Sequence, residues 1–224
     1  FFAVLEALDR ELGRFLDALD ELGLAENTLV VFTSDNGPTD WPHYYRKGHT
    51  PPGFTGPFYG RKWSLYEGGI RMPFIARWKG VIPAGATNEH TVMAAIDLLP
   101  TFCHVAGVDV PKDVQPDGID MHRALVGKEL HREQPLFWQY GGDYARLRPG
   151  NKDFISPSFA VRDGDWKLLV DADGTNAKLY NLINDPGESK NLVSEKADKA
   201  NELYMKLRAW AGEMGFEVAE SLAE

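Results

Sequence analysis

The sequence predicts an α/β region followed by a small α+β unit, and three observations carry that assignment. Residues 2–22 set Leu5, Leu8, Leu12, Phe15, Leu16, Leu19 and Leu22 at three- and four-residue spacings with Glu, Asp and Arg between them, the pattern of an amphipathic helix. The apolar run from Leu29 to Phe32 follows closely and reads as a buried strand, making an αβ unit. Past residue 130 the texture changes to short strand candidates separated by Gly and Asp-Gly turns, which suggests an antiparallel meander. The domain expectation is therefore an α/β region over 1–130 and an antiparallel-sheet subdomain over 131–224.

The helix stops at Gly23, a suitable C′ residue, and Asn27-Thr28 leads into the strand Leu29–Thr33. A long polar and aromatic loop, roughly 37–61, comes next; loops of that length inside a compact domain are usually functional. Met72–Trp78 reads as a second strand, Asp97–Gly107 as a helix with Pro100 near its start, and Ala124-Leu125 as part of a short helix. Pro135–Tyr140, Ser158–Arg162, Trp166–Val170 and Lys178–Asn181 are the later strands, joined by turns at Gly141-Gly142, Asp163-Gly-Asp165 and Asp173-Gly174. An amphipathic helix over about 195–212 closes the chain, carrying Leu203, Met205, Leu207 and Trp210.

Composition excludes some classes. A net charge of −9 argues against general nucleic-acid binding, which needs surplus Lys and Arg to displace counterions from phosphates. No apolar stretch approaches the roughly 20 residues of a bilayer span. The single cysteine, Cys103, cannot form an internal disulfide and lacks an adjacent base, so an inert thiol is its default. The chain opens on Phe1-Phe2 inside a helical pattern, with neither initiator Met nor leader, so upstream sequence is expected.

The chemistry concentrates around residues 35–62. Asp35 and Asn36 end the apolar strand as adjacent oxygen donors before Gly37-Pro38, where an open α/β sheet keeps its ligands. They suit a hard cation such as Ca²⁺ or Mg²⁺, although Asp-Asn-Gly is equally ordinary turn chemistry. From Pro38 to Lys62 the charged residues are Arg46, Lys47, Arg61 and Lys62 against Asp40, an electropositive loop in an acidic chain. Trp41, Tyr44, Tyr45, Phe54, Phe58 and Tyr59 are interleaved, a composition that suits an anionic sugar or aryl group. Lys62 is the candidate catalytic cation and substrate ligand; Arg46, His43 and His49 are candidate substrate ligands, the histidines being as readily solvated loop residues. Glu67 and Arg71 are expected to pair across the Gly68-Gly69 turn, and His104 to pack on its helix.

Five motifs in order carry a resemblance. Thr28–Pro38, Gly60–Pro73, Asp97-Leu-Leu-Pro-Thr101, Asp117-Gly-Ile-Asp120 and Leu179–Glu188 resemble the C-terminal half of type I formylglycine-dependent sulfatases, of the alkaline-phosphatase-like superfamily. The resemblance implies part of an alkaline-phosphatase-like sandwich with a mixed sheet, then a four-stranded antiparallel sheet with a C-terminal helix. It also implies one calcium ion held in part by Asp35 and Asn36, Lys62 on the sulfate oxygens, and hydrolysis of a sulfate ester, on a carbohydrate by preference. A periplasmic, secreted or lysosomal location goes with it.

The family's nucleophile is a formylglycine made within Cys/Ser-x-Pro-x-Arg, and that motif does not occur here; Cys103 lies in Cys-His-Val-Ala-Gly. The paired metal-binding aspartates, lysine and histidines of the family's first half are absent too. The nucleophile is expected upstream, in a missing N-terminal half, and the chain alone is expected to be inactive. The competing readings are a phosphoryl or phosphonate ester hydrolase of the same superfamily and a non-catalytic anion-binding homologue.

Overall fold

The computed structural model describes residues 1–141 and 147–223. The chain divides into two compact units, Phe1–Thr33 with Phe74–Arg132, and Ser34–Pro73 with Glu133–Glu224.

The first unit holds helix α1 (Phe2–Glu21), strands β1 (Val30–Thr33) and β2 (Phe74–Arg77), and helices α4 (Leu98–Ala106) and α5 (His122–Leu125). Gly23 takes the left-handed conformation (φ 69°) that ends α1, as its position in the sequence demanded. Strands β1 and β2 form an antiparallel pair with Val30 opposite Arg77 and Thr33 opposite Phe74. The expected buried strand is a correction: Val30 and Val31 are half-buried, and Phe32 and Thr33 are exposed. Strand β1 has β2 as its one sheet neighbour among the described residues, and such pairing satisfies an edge of the strand without covering the faces on which its side chains stand. The apolar stripe of α1 is likewise open, with Leu5, Leu8 and Phe15 exposed. Asp20 on α1 pairs with Arg77 at 2.7 Å and Lys79 at 2.9 Å, and these two cations hold its carboxyl below the ordinary range.

Two of the ordered motifs meet in this unit. Asp97 is fully buried, and its carboxylate accepts the backbone N–H groups of Ala94 (2.8 Å) and Ile119 (2.9 Å) while pairing with Arg132 at 2.7 Å. Thr101 Oγ1 accepts the Met121 N–H at 2.9 Å. A Cβ on Gly118 would lie 2.1 Å from the Ile96 carbonyl oxygen, so only glycine fits there. Asp97-Leu-Leu-Pro-Thr101 and Asp117-Gly-Ile-Asp120 are therefore one polar clamp, whose buried carboxylate is satisfied on all sides.

The second unit is built on β3 (Leu136–Gln139), β4 (Phe159–Asp163), β5 (Trp166–Val170) and β6 (Lys178–Asn181), an antiparallel meander in that order. Gly142 of the turn expected after β3 lies outside the described residues. Helix α6 (Ala197–Glu213) covers one face: Phe159, Val161, Leu168, Val170 and Leu179 pack with Leu203, Tyr204 and Leu207. The alternate residues Ala160, Leu169 and Tyr180 face the other way, against Leu65, Tyr66 and Tyr59. The sheet is thus covered on both faces, and the second cover is the segment that carries Lys62. A buried leucine at such a position contributes about 1.5–3 kcal/mol by leaving water.

Candidate functional site

Asp35, Asn36 and Lys62 all belong to the second unit, and glycine packing fixes their backbones. Gly37 N–H donates to the Gly69 carbonyl at 2.9 Å, and Lys62 N–H donates to the Pro38 carbonyl at 3.1 Å. Lys62 is thereby laced to the chain two residues beyond Asn36. Three glycines allow the approach: a Cβ would lie 2.0 Å from the Gly68 oxygen on Gly37, 2.3 Å from the Gly60 oxygen on Gly68, and 2.1 Å from the Ser64 oxygen on Gly69. Backbone cannot yield to a methyl at those distances. Gly68 and Gly69 lie in a one-turn helix, α3 (Glu67–Ile70), rather than in an irregular turn.

The donor chemistry suits a hard cation. Asp35 is exposed and Asn36 half-buried. Asn36 Nδ2 donates to the Gly37 carbonyl at 3.1 Å, which fixes the amide and leaves Oδ1 with no donor among the described residues. Asp35 Oδ1 has Ser34 Oγ at the long distance of 3.5 Å. Both side chains thus keep oxygen lone pairs for an ion that takes carboxylate and amide oxygens.

The expected loop 37–61 contains helix α2 (Pro42–Arg46), started by Pro42 at N1, where the sequence suggests irregular structure. His43 and Arg46 are three residues apart on α2, hence on one face, and both are exposed. His49, also exposed, follows the helix, its N–H donating to the Tyr44 carbonyl at 2.8 Å. Lys62 is half-buried, with Nζ 5.9 Å from the Trp63 ring centroid, and Trp63 in turn lies 5.9 Å from Trp41.

Three charged residues hold this segment. Asp40 is fully buried; Oδ1 accepts from the Tyr45 hydroxyl at 2.8 Å and Oδ2 from the Asn151 N–H at 2.9 Å. Desolvation and the bond to Asp40 push the Tyr45 hydroxyl above its ordinary value. Arg61 donates to the carbonyls of Pro51 (3.1 Å), Pro52 (3.3 Å) and Gly53. Glu188 Oε2 accepts the Glu67 N–H at 2.6 Å, which joins Glu67-Gly-Gly to the Asp185-Pro-Gly-Glu188 motif. A lone acid inside a polar loop gives no local signal of these roles.

The Glu67–Arg71 pairing is weaker than expected, at 3.7 Å. Lys167, fully buried, is the closer partner of Glu67 at 2.8 Å and also lies 3.0 Å from Glu188. Burial alone would raise the Glu67 carboxyl, but Lys167, Arg162 and Arg71 outweigh it and hold the group below its ordinary value. Burial, with the Glu67 charge alongside, pushes Glu188 up despite Lys167. Burial also raises the Tyr66 hydroxyl to about 12, so it stays neutral while accepting from Lys178 Nζ at 2.6 Å.

The chain is similar to known proteins over most of its length. A family model described as Sulfatase matches residues 1–108, and one described as N-sulphoglucosamine sulphohydrolase, C-terminal, matches residues 56–212. The chain is 33% identical to human arylsulfatase A over 225 residues, covering 91% of this chain and 41% of the relative. It is 29% identical to an N-acetylgalactosamine-6-O-sulfatase of Bacteroides thetaiotaomicron, covering 89% of this chain and 39% of the relative. In structure it resembles Ps i-CgsB in complex with k-i-k-neocarrahexaose (TM-score 0.74, 26% identity, covering 98% of this chain and 44% of the other). It also resembles BT4656 in complex with its substrate D-glucosamine-2-N,6-O-disulfate (TM-score 0.68, 27% identity, covering 94% and 39%). The chain spans about two fifths of the length of these curated relatives. With two family models running from residue 1 to residue 212 and the ordered motifs explained by their contacts, the chain belongs to the sulfatase family.

Proposed function

We propose that the protein carrying this chain is a sulfuric ester hydrolase acting on a sulfated carbohydrate, and that this chain supplies one wall of its active site. The observation that carries the reading is the lacing of Asp35-Asn36 to Lys62 through the Gly37–Gly69 and Lys62–Pro38 hydrogen bonds. Asp35 Oδ and Asn36 Oδ1 would hold a calcium ion, which supplies positive charge to the oxygens of a bound sulfate group. Lys62 binds the same oxygens and stabilises the charge that shifts as the ester bond breaks, preorganised electrostatics of the kind that dominates such transfers. His43 and Arg46 on α2, with His49 just beyond it, contact the sugar carrying the sulfate.

Formylglycine has no place on these residues. Cys103 sits on α4 in the first unit, in Cys-His-Val-Ala-Gly, and no step of the proposal runs through it. The nucleophile lies on another part of the protein, and this chain alone does not turn over. A compartment outside the cytoplasm, which the family resemblance implies, agrees with a polymeric sugar substrate.

The test is hydrolysis of sulfated mono- and oligosaccharides by the intact protein, with sulfate release measured before and after calcium is stripped. Release that depends on calcium supports the reading. Hydrolysis of phosphate esters with sulfate esters untouched would replace it with a phosphoryl hydrolase.

A further inference from the structure

The first unit carries a cluster that the sulfatase reading does not use. His104, in the last turn of α4, stacks face to face on His122, the first residue of α5, with ring centroids 3.6 Å apart and planes 8° from parallel. His104 Nδ1 lies 2.9 Å and His122 Nδ1 2.7 Å from the same oxygen, Asp120 Oδ2. Expected to pack on its helix, His104 packs on His122 at the end of α4, with its side chain 52% exposed.

We propose that His104, Asp120 and His122 form a binding site for a borderline divalent transition metal of the zinc class. The three donor atoms lie within 4.8 Å of one another. Bonds of about 2.0–2.1 Å to a tetrahedral ion set donors roughly 3.3 Å apart, and because each imidazole binds in its ring plane, the two rings turn out of their parallel stack to share the ion. The Asp120 carboxylate is already held in a ligating orientation, because Oδ1 accepts the His122 backbone N–H at 2.9 Å and leaves Oδ2 turned towards both rings. That is the outer support which metal-ligating carboxylates ordinarily receive.

Stability does not explain the arrangement. Exposed ion pairs and hydrogen bonds of this kind contribute little, and parallel face-to-face stacking is the less favoured geometry for aromatic rings. An ion shared by the two imidazoles and the carboxylate accounts for the convergence of the three donors on one point. Two imidazole nitrogens with one carboxylate select zinc, cobalt, nickel or copper over calcium or magnesium. Three protein donors leave a coordination position for water, and the ion joins the end of α4 to the start of α5.

The experiment titrates intact protein, stripped of metal and returned to excess calcium, with Zn²⁺ by calorimetry and with Co²⁺ by visible absorption. Wild type should bind one equivalent of each more than His104→Ala or His122→Ala, and the tetrahedral cobalt band should vanish in both variants. Asp120→Asn, which keeps an oxygen for the His122 N–H, should weaken binding by more than about 10-fold. His90→Ala, an exposed histidine outside the cluster, should change nothing. Unaltered circular dichroism in all variants secures the comparison. Zinc and cobalt binding equal in wild type and both histidine variants, or absent from wild type, overturns the site.

Discussion

Lys167 Nζ lies 2.8 Å from Glu67 Oε1, and neither side chain reaches solvent. The two residues come from β5 and the start of α3, a hundred positions apart in the chain. Their pairing fixes the one-turn helix on the sheet that supports it, and Glu188, from the segment that follows β6 in the chain, completes the cluster.

Replacing Lys167 by Met removes the cation and strands two buried carboxylates. The expected cost is about 3–5 kcal/mol, the size found when one member of a buried pair is lost. Urea unfolding measures it, and adding Glu67→Gln and Glu188→Gln to the Met variant should recover much of the loss. A cost below about 1 kcal/mol for Lys167→Met would mean that the pair is solvated.

Acid should act through Glu67. Its folded carboxyl titrates lower than the unfolded one, so its contribution is full above about pH 4.3 and is lost as pH falls through the lowered value. Glu188 has the opposite sign: its raised folded carboxyl contributes below about pH 4.3 and loses that contribution as pH rises through the raised value. Glu188→Gln should therefore flatten the stability profile between about pH 4.3 and neutrality while leaving the acid limb in place. Urea midpoints collected across this range decide it; an unchanged profile in the variant would contradict the assignment.

Glycine positions separate cleanly by what a methyl would meet. Gly69→Ala drives a Cβ against the Ser64 carbonyl and should destabilise the second unit by about 3 kcal/mol or more. Gly13→Ala, in the interior of α1 with nothing within 4 Å, should stabilise by about 0.5–1 kcal/mol. Thermal unfolding of the two variants should move in opposite directions.

Much of this fold was legible because its elements are amphipathic with short periods. Helix α1 follows from leucines at three- and four-residue spacing, and β4 to β6 follow from alternation between Asp-Gly turns. Asp35-Asn36 stood out because two oxygen donors end an apolar run. Contacts distant in sequence were not legible. Lys167 reads as a solvent-facing lysine in a strand, and nothing in its neighbourhood names Glu67 or Glu188. Asp40 reads as a loop acid, although Asn151 makes it a buried anchor. The segment 59–70 gives no periodic sign that it covers the sheet built from residues 136–181.

The exposed ends of β1 and α1 offered the reverse lesson. Periodicity identified which faces are apolar, but burial depends on what lies against them.

Calcium should bind where Asp35 and Asn36 meet. Asp35→Ala should lower calcium affinity of the intact protein by more than about 10-fold, since it removes the only charged donor of the pair. Calorimetry on stripped protein measures this, and unchanged affinity would remove Asp35 from the ligand set.

Sulfate release by the intact protein carrying Lys62→Ala decides whether this wall of the pocket acts on the sulfate group. Lys62 is half-buried, and its fixed contact is a backbone N–H that alanine retains, so the fold should survive. The expected result is a fall in kcat on the order of 100-fold or more, with circular dichroism unchanged. Turnover at the wild-type rate would contradict it.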